Sequence, residues 1–211
     1  MTSDAPAESP TRRRRWWPWL VGGAAVGIAA GWLVVSLARP HIYAGTVLAA
    51  SSQAPPMTGL VYEDGAPVDL EALHGDVVLV YFGYTHCPDL CPAMLSTIAR
   101  AVDAIGSGRE RVTTMMVTVD PQRDTPELLG AYVAHFDDSF RGVWGTMEQV
   151  RSIATQYGVY FENGETDDAG DYLVGHTATL MLIDPDGTLR IVYPVELGSG
   201  DLTDDLVELT G

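Results

Sequence analysis

Residues 77–92 read VVLVYFGYTHCPDLCP. The first six are a continuous apolar run, the pattern of a strand covered on both faces. The only two cysteines of the chain follow at Cys87 and Cys91. A helix is predicted to begin near Pro92, because proline is tolerated in a first helical turn. The stretch therefore predicts a strand, a cysteine-containing loop and a helix, with both sulfurs on one side of the first turn.

The rest of the C-terminal region alternates between predicted helices and strands. Further strands are expected at 112–119, 177–183 and 189–193, the last two joined by the hairpin turn Asp184-Pro185-Asp186-Gly187. Helices are expected after the N-cap residue Thr125, after the capping box that starts at Thr146, and over 201–209. This order predicts an α/β, thioredoxin-like sandwich around a central mixed sheet, formed by one domain at 57–211.

The N-terminal region predicts a membrane anchor. Residues 16–38 contain no charge and exceed the roughly 20 residues needed to cross a hydrocarbon core. Four arginines close the preceding tail, 1–15, which predicts that this tail stays in the cytoplasm and that the later domain lies outside. Residues 39–56 are expected to be a linker. The alternative is a cleaved signal peptide ending at Ala38, and both interpretations export the domain.

The charge of the chain argues against nucleic acid as a partner. The formal net charge is −16. After residue 39 the chain has 26 acidic residues and 7 arginines, a net charge of −19, and the whole chain lacks lysine. A surface of that sign repels phosphate backbones.

The cysteine pair admits several chemistries. A structural disulfide would close a loop of only five residues, which stabilises less than a long loop does. A sulfur in the first turn of a helix is instead expected to favour the thiolate, because the helix dipole and free N–H groups stabilise negative charge there. Thiolates exchange with disulfides and bind soft metals such as Cu(I). A zinc site with two cysteines and a histidine is a further option.

A metal needs more ligands, and the candidates are five histidines. His41 lies in the linker, His74 in a turn and His135 at a helix end. His86 neighbours Cys87, and adjacent residues in an extended segment point apart, so these four are disfavoured. The fifth, His176, directly precedes a predicted strand and follows an acidic excursion, 162–175, that could cover the cysteine end of the sheet.

Three segments resemble a known family. Residues 83–92 (GYTHCPDLCP), 119–126 (VDPQRDTP) and 172–177 (YLVGHT) are similar, in the same order, to the signatures of the Sco/SenC copper chaperones for cytochrome oxidase assembly. The likeness extends from about Gly59 to the C-terminus. One departure is Gly175, where many relatives carry aspartate immediately before the histidine.

The resemblance implies a thioredoxin-like fold in which Cys87, Cys91 and His176 bind copper, as Cu(I) and also as Cu(II). It implies delivery to the dinuclear copper site of cytochrome c oxidase subunit II, with a copper donor protein upstream. It also suggests a role near the copper for Asp120, which ends a predicted strand, whereas Asp124 is expected to form part of a turn and helix start.

Two functions therefore follow from the sequence. A membrane-tethered metal-delivery protein, not an enzyme, is favoured. The alternative is a thiol–disulfide oxidoreductase that reduces the cysteines of the same acceptor, although the usual redox pair has two intervening residues and this pair has three. A peroxidase is disfavoured, because Thr85 stands only two residues before Cys87.

Overall fold

A seven-stranded mixed sheet forms the centre of the folded unit Ile42–Gly211. The structure, a computed structural model, describes residues 28, 30–32, 41–166 and 171–211. In these residues the main sheet has the order β1-β9-β8-β3-β4-β5-β2. Strands β3, β4 and β5 are mutually parallel and the other pairings are antiparallel. The predicted mixed sheet is confirmed. The strands are β1 Thr46–Gln53, β2 Val61–Tyr62, β3 Val77–Gly83, β4 Val112–Thr118, β5 Arg141–Trp144, β6 Phe161–Asn163, β7 Val174–His176, β8 Leu180–Ile183 and β9 Thr188–Tyr193.

Among the described residues of the unit Ile42–Gly211, four α-helices accompany the sheet. They are α1 Leu90–Ala104, α2 Pro126–Ala134, α3 Met147–Gln156 and α4 Ser199–Thr210, with short 3₁₀ helices at Glu71–Leu73 and Gly106–Arg111. The predicted start signals are confirmed. Thr125 accepts a hydrogen bond from the backbone of Leu128 at the start of α2, and both bonds of the capping box are present at the start of α3. Helix α1 begins at Leu90, two residues before the predicted start.

Strand β3 is the core of the fold and positions the cysteines. All seven of its residues are buried, so both faces of the sheet are covered there. It pairs in parallel with β4, from Val77 opposite Val112 to Gly83 opposite Thr118. Because the two strands end side by side, the cysteine loop after β3 lies next to the loop after β4.

The predicted linker is wrong over much of its length. Residues Thr46–Gln53, assigned to the 39–56 linker, form β1 at the edge of the main sheet, antiparallel to β9. The backbone N–H of Ala44 also donates to the buried carboxylate of Asp205 on α4. Backbone pairing with β9 therefore determines this strand, and the folded unit extends from Ile42 to Gly211.

The predicted strand over 177–183 also differs from the structure. Only Leu180–Ile183 belongs to the main sheet. Residues Val174–His176 instead pair with Phe161–Asn163 in a separate two-stranded antiparallel sheet, in which Phe161 is opposite His176. We call β6 and β7 the ribbon. His176 therefore lies on the ribbon and not at the head of a main-sheet strand.

The first unit of the chain is Met1–His41, of which residues 28, 30–32 and 41 are described, and residues 28 and 30–32 are helical. The predicted anchor, 16–38, lies mostly outside the described residues, and the tail 1–15 lies wholly outside them. Within the described residues, no helix has the length and apolar character needed to span a membrane.

Candidate metal centre

Two sulfurs and one imidazole converge at the end of β3. The ligand atoms of Cys87, Cys91 and His176 all lie within 4.8 Å of one another. The Sγ of Cys91 is 3.7 Å from Nε2 of His176, although 85 positions separate the two residues. In the described part of the chain, no other three His, Cys, Asp or Glu side chains form such a group. The structure thus brings together the three residues that the resemblance implied.

The local turn places the two sulfurs on the same side. The backbone N–H of Cys87 donates to the carbonyl of Tyr84 at 3.3 Å, and that of Cys91 donates to the Sγ of Cys87 at 3.4 Å. Both cysteines are free thiols; Cys87 is half-buried and Cys91 is fully buried as the second residue of α1. The accessible sulfur is therefore Cys87.

Burial determines the protonation of Cys91. Removal from water raises the pKa of this thiol to about 12, and the hydroxyl of Tyr81, which donates to its Sγ at 3.5 Å, lowers it only in part. The expectation that the helix start favours a thiolate is therefore wrong for Cys91 in the metal-free protein. Desolvation disfavours the charged form more strongly than the helix terminus stabilises it.

His176 is held as a neutral imidazole. Burial lowers its pKa, while the Thr177 carbonyl, 3.4 Å from Nδ1, acts in the opposite direction. The ring also packs edge-on against Tyr84, with centroids 5.8 Å apart, and against Tyr81 at 6.3 Å. When Nδ1 carries the proton and donates it to that carbonyl, the lone pair of Nε2 faces the sulfur of Cys91. A neutral imidazole of this kind is the form that binds metals.

Other histidines lie outside the donor group, as predicted. His86 has a side chain that is 45% exposed, and its Nδ1 is 3.0 Å from the Thr85 hydroxyl and 3.8 Å from Asp124. His135 packs against Phe136 at a helix end.

Asp120 and Asp124 are both fully buried, and neither belongs to the donor group. Asp120 accepts hydrogen bonds from the hydroxyl of Tyr172 at 2.8 Å and from Nε of Arg123 at 2.5 Å. Asp124 accepts from the hydroxyl and the backbone N–H of Thr85, at 2.6 and 3.2 Å. Asp124 therefore also anchors the cysteine loop, beyond the turn role that the sequence predicted.

Three tyrosines around the site were not predicted. Tyr81 contacts Cys91, Tyr84 contacts the ribbon, and Tyr172 contacts Asp120. The contact of Tyr81 with the site has one signal in the sequence, the glycine two positions later. Positions 81 and 83 lie on the same face of β3, since side chains alternate along a strand, and a Cβ at Gly83 would lie 3.0 Å from the sulfur of Cys91.

Comparisons with known proteins give the family of the chain. The family model SCO1/SenC matches residues 55–211. A putative copper-binding protein of Stutzerimonas stutzeri is 36% identical over 148 residues, covering 70% of this chain and 72% of that protein. The mitochondrial SCO1 homolog of Homo sapiens is 42% identical over 115 residues, 54% of this chain, but the match spans only 38% of the human protein.

A solved relative shares the fold. The crystal structure of Arabidopsis thaliana ScoI with copper bound has a TM-score of 0.65 and 34% sequence identity, covering 78% of this chain and 96% of that one. The α/β fold is therefore that of the Sco structures. Because the family model matches about three quarters of the chain, including Cys87, Cys91 and His176, the chain belongs to the SCO1/SenC family.

Proposed function

We propose that this protein is a membrane-tethered copper chaperone. It binds copper through Cys87, Cys91 and His176 and delivers the ion to the dinuclear copper site of cytochrome c oxidase subunit II. The observation that carries the proposal is the convergence of two thiols and a neutral imidazole within 4.8 Å. The acceptor, and a copper donor protein upstream, follow from the resemblance of the three sequence motifs.

The donor set fits copper. In tetrahedral zinc sites, sulfur and nitrogen ligands lie about 2.0–2.3 Å from the ion, so two ligands of one metal ion of this kind lie about 3.3–3.8 Å apart. The 3.7 Å between Cys91 and His176 already meets this spacing. Thiolate and imidazole are ligands that suit copper. Because Cys91 is a thiol in the metal-free state, copper must displace its proton, so binding strengthens as the pH rises.

Transfer requires that the ion can leave. Three protein ligands leave a further coordination position open, which a ligand of the acceptor can occupy before the ion departs. Of the two sulfur ligands, the half-buried Cys87 is the more accessible to an incoming group. Ligand exchange through this side of the site needs no change in the oxidation state of Cu(I).

Two relatives support copper as the metal, and the resemblance to the family supports oxidase subunit II as the acceptor. The Arabidopsis relative binds copper in its crystal structure, and the Stutzerimonas relative is named for copper binding. A membrane-bound oxidase is within reach of a domain tethered by an anchor at 16–38. The fold begins at Ile42, so the tether is shorter than the sequence predicted.

Copper titration of the purified full chain tests the ligand set. We expect one copper per chain. Loss of a residue that only supports a ligand typically weakens metal binding about 10- to 100-fold. Because His176 is itself a proposed ligand, His176→Ala should weaken copper binding by at least that factor. The matched control is His135→Ala, which should bind as the native chain does. Equal losses in both variants, or none, would remove His176 from the ligand set.

A parallel zinc titration tests the zinc alternative. Tighter binding of zinc than of Cu(I) would favour a zinc site.

A second function is favoured by the arrangement of the two sulfurs. An accessible Cys87 that accepts the N–H of a buried Cys91 is the geometry of a thiol–disulfide oxidoreductase. The thiolate of Cys87 would attack the acceptor disulfide and release one acceptor thiol. Cys91 would then attack the mixed disulfide, releasing the second acceptor thiol and leaving this chain as a disulfide, two electrons more oxidised.

Copper loading in cells separates the two functions. A chaperone needs His176, whereas thiol exchange needs only the cysteines. In a strain that lacks the native protein, His176→Ala should fail to restore copper loading of the oxidase. Restored loading would favour the oxidoreductase.

A further inference from the structure

The imidazole of the site lies on a part of the fold that is not joined to the main sheet. His176 ends β7, whose only strand partner in the described residues is β6. The position of this ribbon relative to the cysteines therefore depends on side-chain contacts. Val174 and Phe161 are buried, but apolar packing alone does not fix a distance between an imidazole and a sulfur.

One polar cluster ties the segment before His176 to the end of β4. The hydroxyl of Tyr172 donates to Oδ1 of Asp120 at 2.8 Å, and Nε of Arg123 donates to Oδ2 of the same carboxylate at 2.5 Å. The guanidinium of Arg123 lies 3.7 Å from the centre of the Tyr172 ring. Asp120 is fully buried, so its two oxygens are committed to these partners.

The loop that carries Asp120 also holds the cysteine side of the site. Asp124, four positions later, accepts the hydroxyl and N–H of Thr85, two residues before Cys87. A single loop after β4 thus contacts both the chain that leads to the thiols and the chain that leads to the imidazole. A direct contact joins the two as well, because the N–H of Val174 donates to the Tyr84 hydroxyl at 3.2 Å.

We propose that Tyr172 is a positioning residue for the metal centre: through its hydrogen bond to Asp120, it holds His176 at a distance from Cys87 and Cys91 that one metal ion can bridge. The inference rests on the proposed function, since its effect is read through copper. Tyr172 is four residues from His176 in an extended segment, so a displacement at one end is transmitted to the other. Partners outside the ligand set typically change metal affinity 10- to 100-fold when lost.

The test is Tyr172→Phe in the full chain. This variant keeps the ring beneath Arg123 and removes only the hydroxyl that Asp120 accepts. The matched control is Tyr160→Phe, one residue before the ribbon, because the exposed Tyr160 hydroxyl donates to Glu162 on the ribbon and not to the main sheet. Copper titration should show affinity about 10- to 100-fold weaker for Tyr172→Phe and unchanged for Tyr160→Phe. The paramagnetic resonance spectrum of the Cu(II) form should show weakened nitrogen coupling only in Tyr172→Phe.

His176→Ala measured alongside separates the possible failures. If His176→Ala binds copper as the native chain does, the proposed function is wrong. If His176→Ala binds weakly while Tyr172→Phe matches Tyr160→Phe in affinity and spectrum, the positioning role alone is overturned.

Hydrogen exchange distinguishes positioning from a general loss of stability. In Tyr172→Phe, the amides of Phe161–Asn163 and Val174–His176 should exchange faster while those of Leu180–Ile183 keep the native rate. Equal acceleration of the ribbon and the main sheet, or acceleration of neither, contradicts the inference.

Discussion

The sulfur of Cys91 has room in the core because residue 83 is a glycine. A Cβ built on Gly83 would lie 2.8 Å from the ring of Tyr81, 3.0 Å from the Cys91 sulfur and 3.0 Å from the end of Met116. All three neighbours are fully buried. A methyl group there must displace the donor sulfur or the tyrosine that contacts it.

Gly83→Ala should therefore impair the site and the fold together. We expect a loss of about 1–3 kcal/mol in the free energy of unfolding, the usual effect of an added group in a packed core, and weaker copper binding because Cys91 moves. Urea unfolding and copper titration measure the two effects. The control is Gly175→Asp, which introduces the residue that many relatives carry. A Cβ at Gly175 meets only a carbonyl oxygen, at 3.8 Å.

The two glycine variants have opposite expected outcomes. Gly175 is exposed and lies on the opposite side of its strand from His176, so an aspartate there should leave the stability and the donor set unchanged. Native copper affinity in Gly83→Ala would show that the sulfur has more freedom than the packing indicates. A large change in Gly175→Asp would place a carboxylate of the ribbon at the metal.

Single residues also show what the sequence could predict of the site. Cys87 and Cys91 could be predicted as site residues because they are the only two cysteines of the chain. His176 was one candidate among five histidines until the resemblance to the family motifs distinguished it. Tyr172 was not predicted, because its partner Asp120 lies 52 positions away and no local period connects them.

At the scale of elements, a carboxylate joins the end of α2 to the 3₁₀ helix at Gly106–Arg111. Asp137 accepts two hydrogen bonds from Nη2 of Arg109, at 2.6 and 2.8 Å, and others from the backbone and hydroxyl of Ser139. Burial alone would raise the pKa of Asp137, but the bonds from Ser139 and the charge of Arg109 together lower it. The folded state therefore binds a proton at this group less readily than the unfolded chain does.

This linkage predicts how stability changes on acidification. A carboxyl with a lowered folded-state pKa stabilises fully above its unfolded value, and that contribution is lost as the pH falls through the folded value. Asp137→Asn should be about 1.5 kcal/mol less stable than the native chain at pH 7, the lower end of the range for hydrogen bonds to a charged group. The difference should shrink toward pH 2–3.

Denaturant unfolding between pH 7 and about pH 2 measures this effect. The control is Asp103→Asn, because Asp103 is 84% exposed and lies 3.7 Å from the same arginine; an exposed pair of this kind contributes little. A difference between Asp137→Asn and the native chain that stays constant with pH would contradict the linkage.

Helices and strands were predicted well where consecutive residues carry a signal, and poorly where a strand forms only by pairing with a distant strand. The apolar run of β3 and the caps of α2 and α3 are properties of consecutive residues, and the structure confirms them. Strand β1 reads TVLAASSQ, which lacks a sustained alternation of apolar and polar residues, and its partner β9 lies more than 130 positions later. The ribbon was missed for the same reason, since its two short strands are defined by each other.

At the scale of the whole molecule, the proposed function requires the folded unit and the oxidase copper site to face the same compartment. The four arginines before residue 16 and the acidic chain after residue 39 have opposite charge. Positive residues flanking an apolar segment favour the cytoplasmic side, so Ile42–Gly211 is expected outside the cytoplasm.

A reporter fused after Gly211 tests this orientation. An enzyme that is active only outside the cytoplasm should be active in the native fusion, and replacing all four of Arg12–Arg15 by glutamine should lower that activity, because the orienting charge is gone. The matched control replaces Arg109 and Arg111, which follow the apolar segment by more than 70 positions in the sequence, and should keep native reporter activity. The size of the fusion then separates an anchor from a cleaved signal: an intact chain supports the anchor at 16–38, and a product starting near residue 39 supports cleavage. Reporter activity confined to the cytoplasm would be incompatible with delivery to an external copper site, whatever the metal affinity of the thiols and the imidazole.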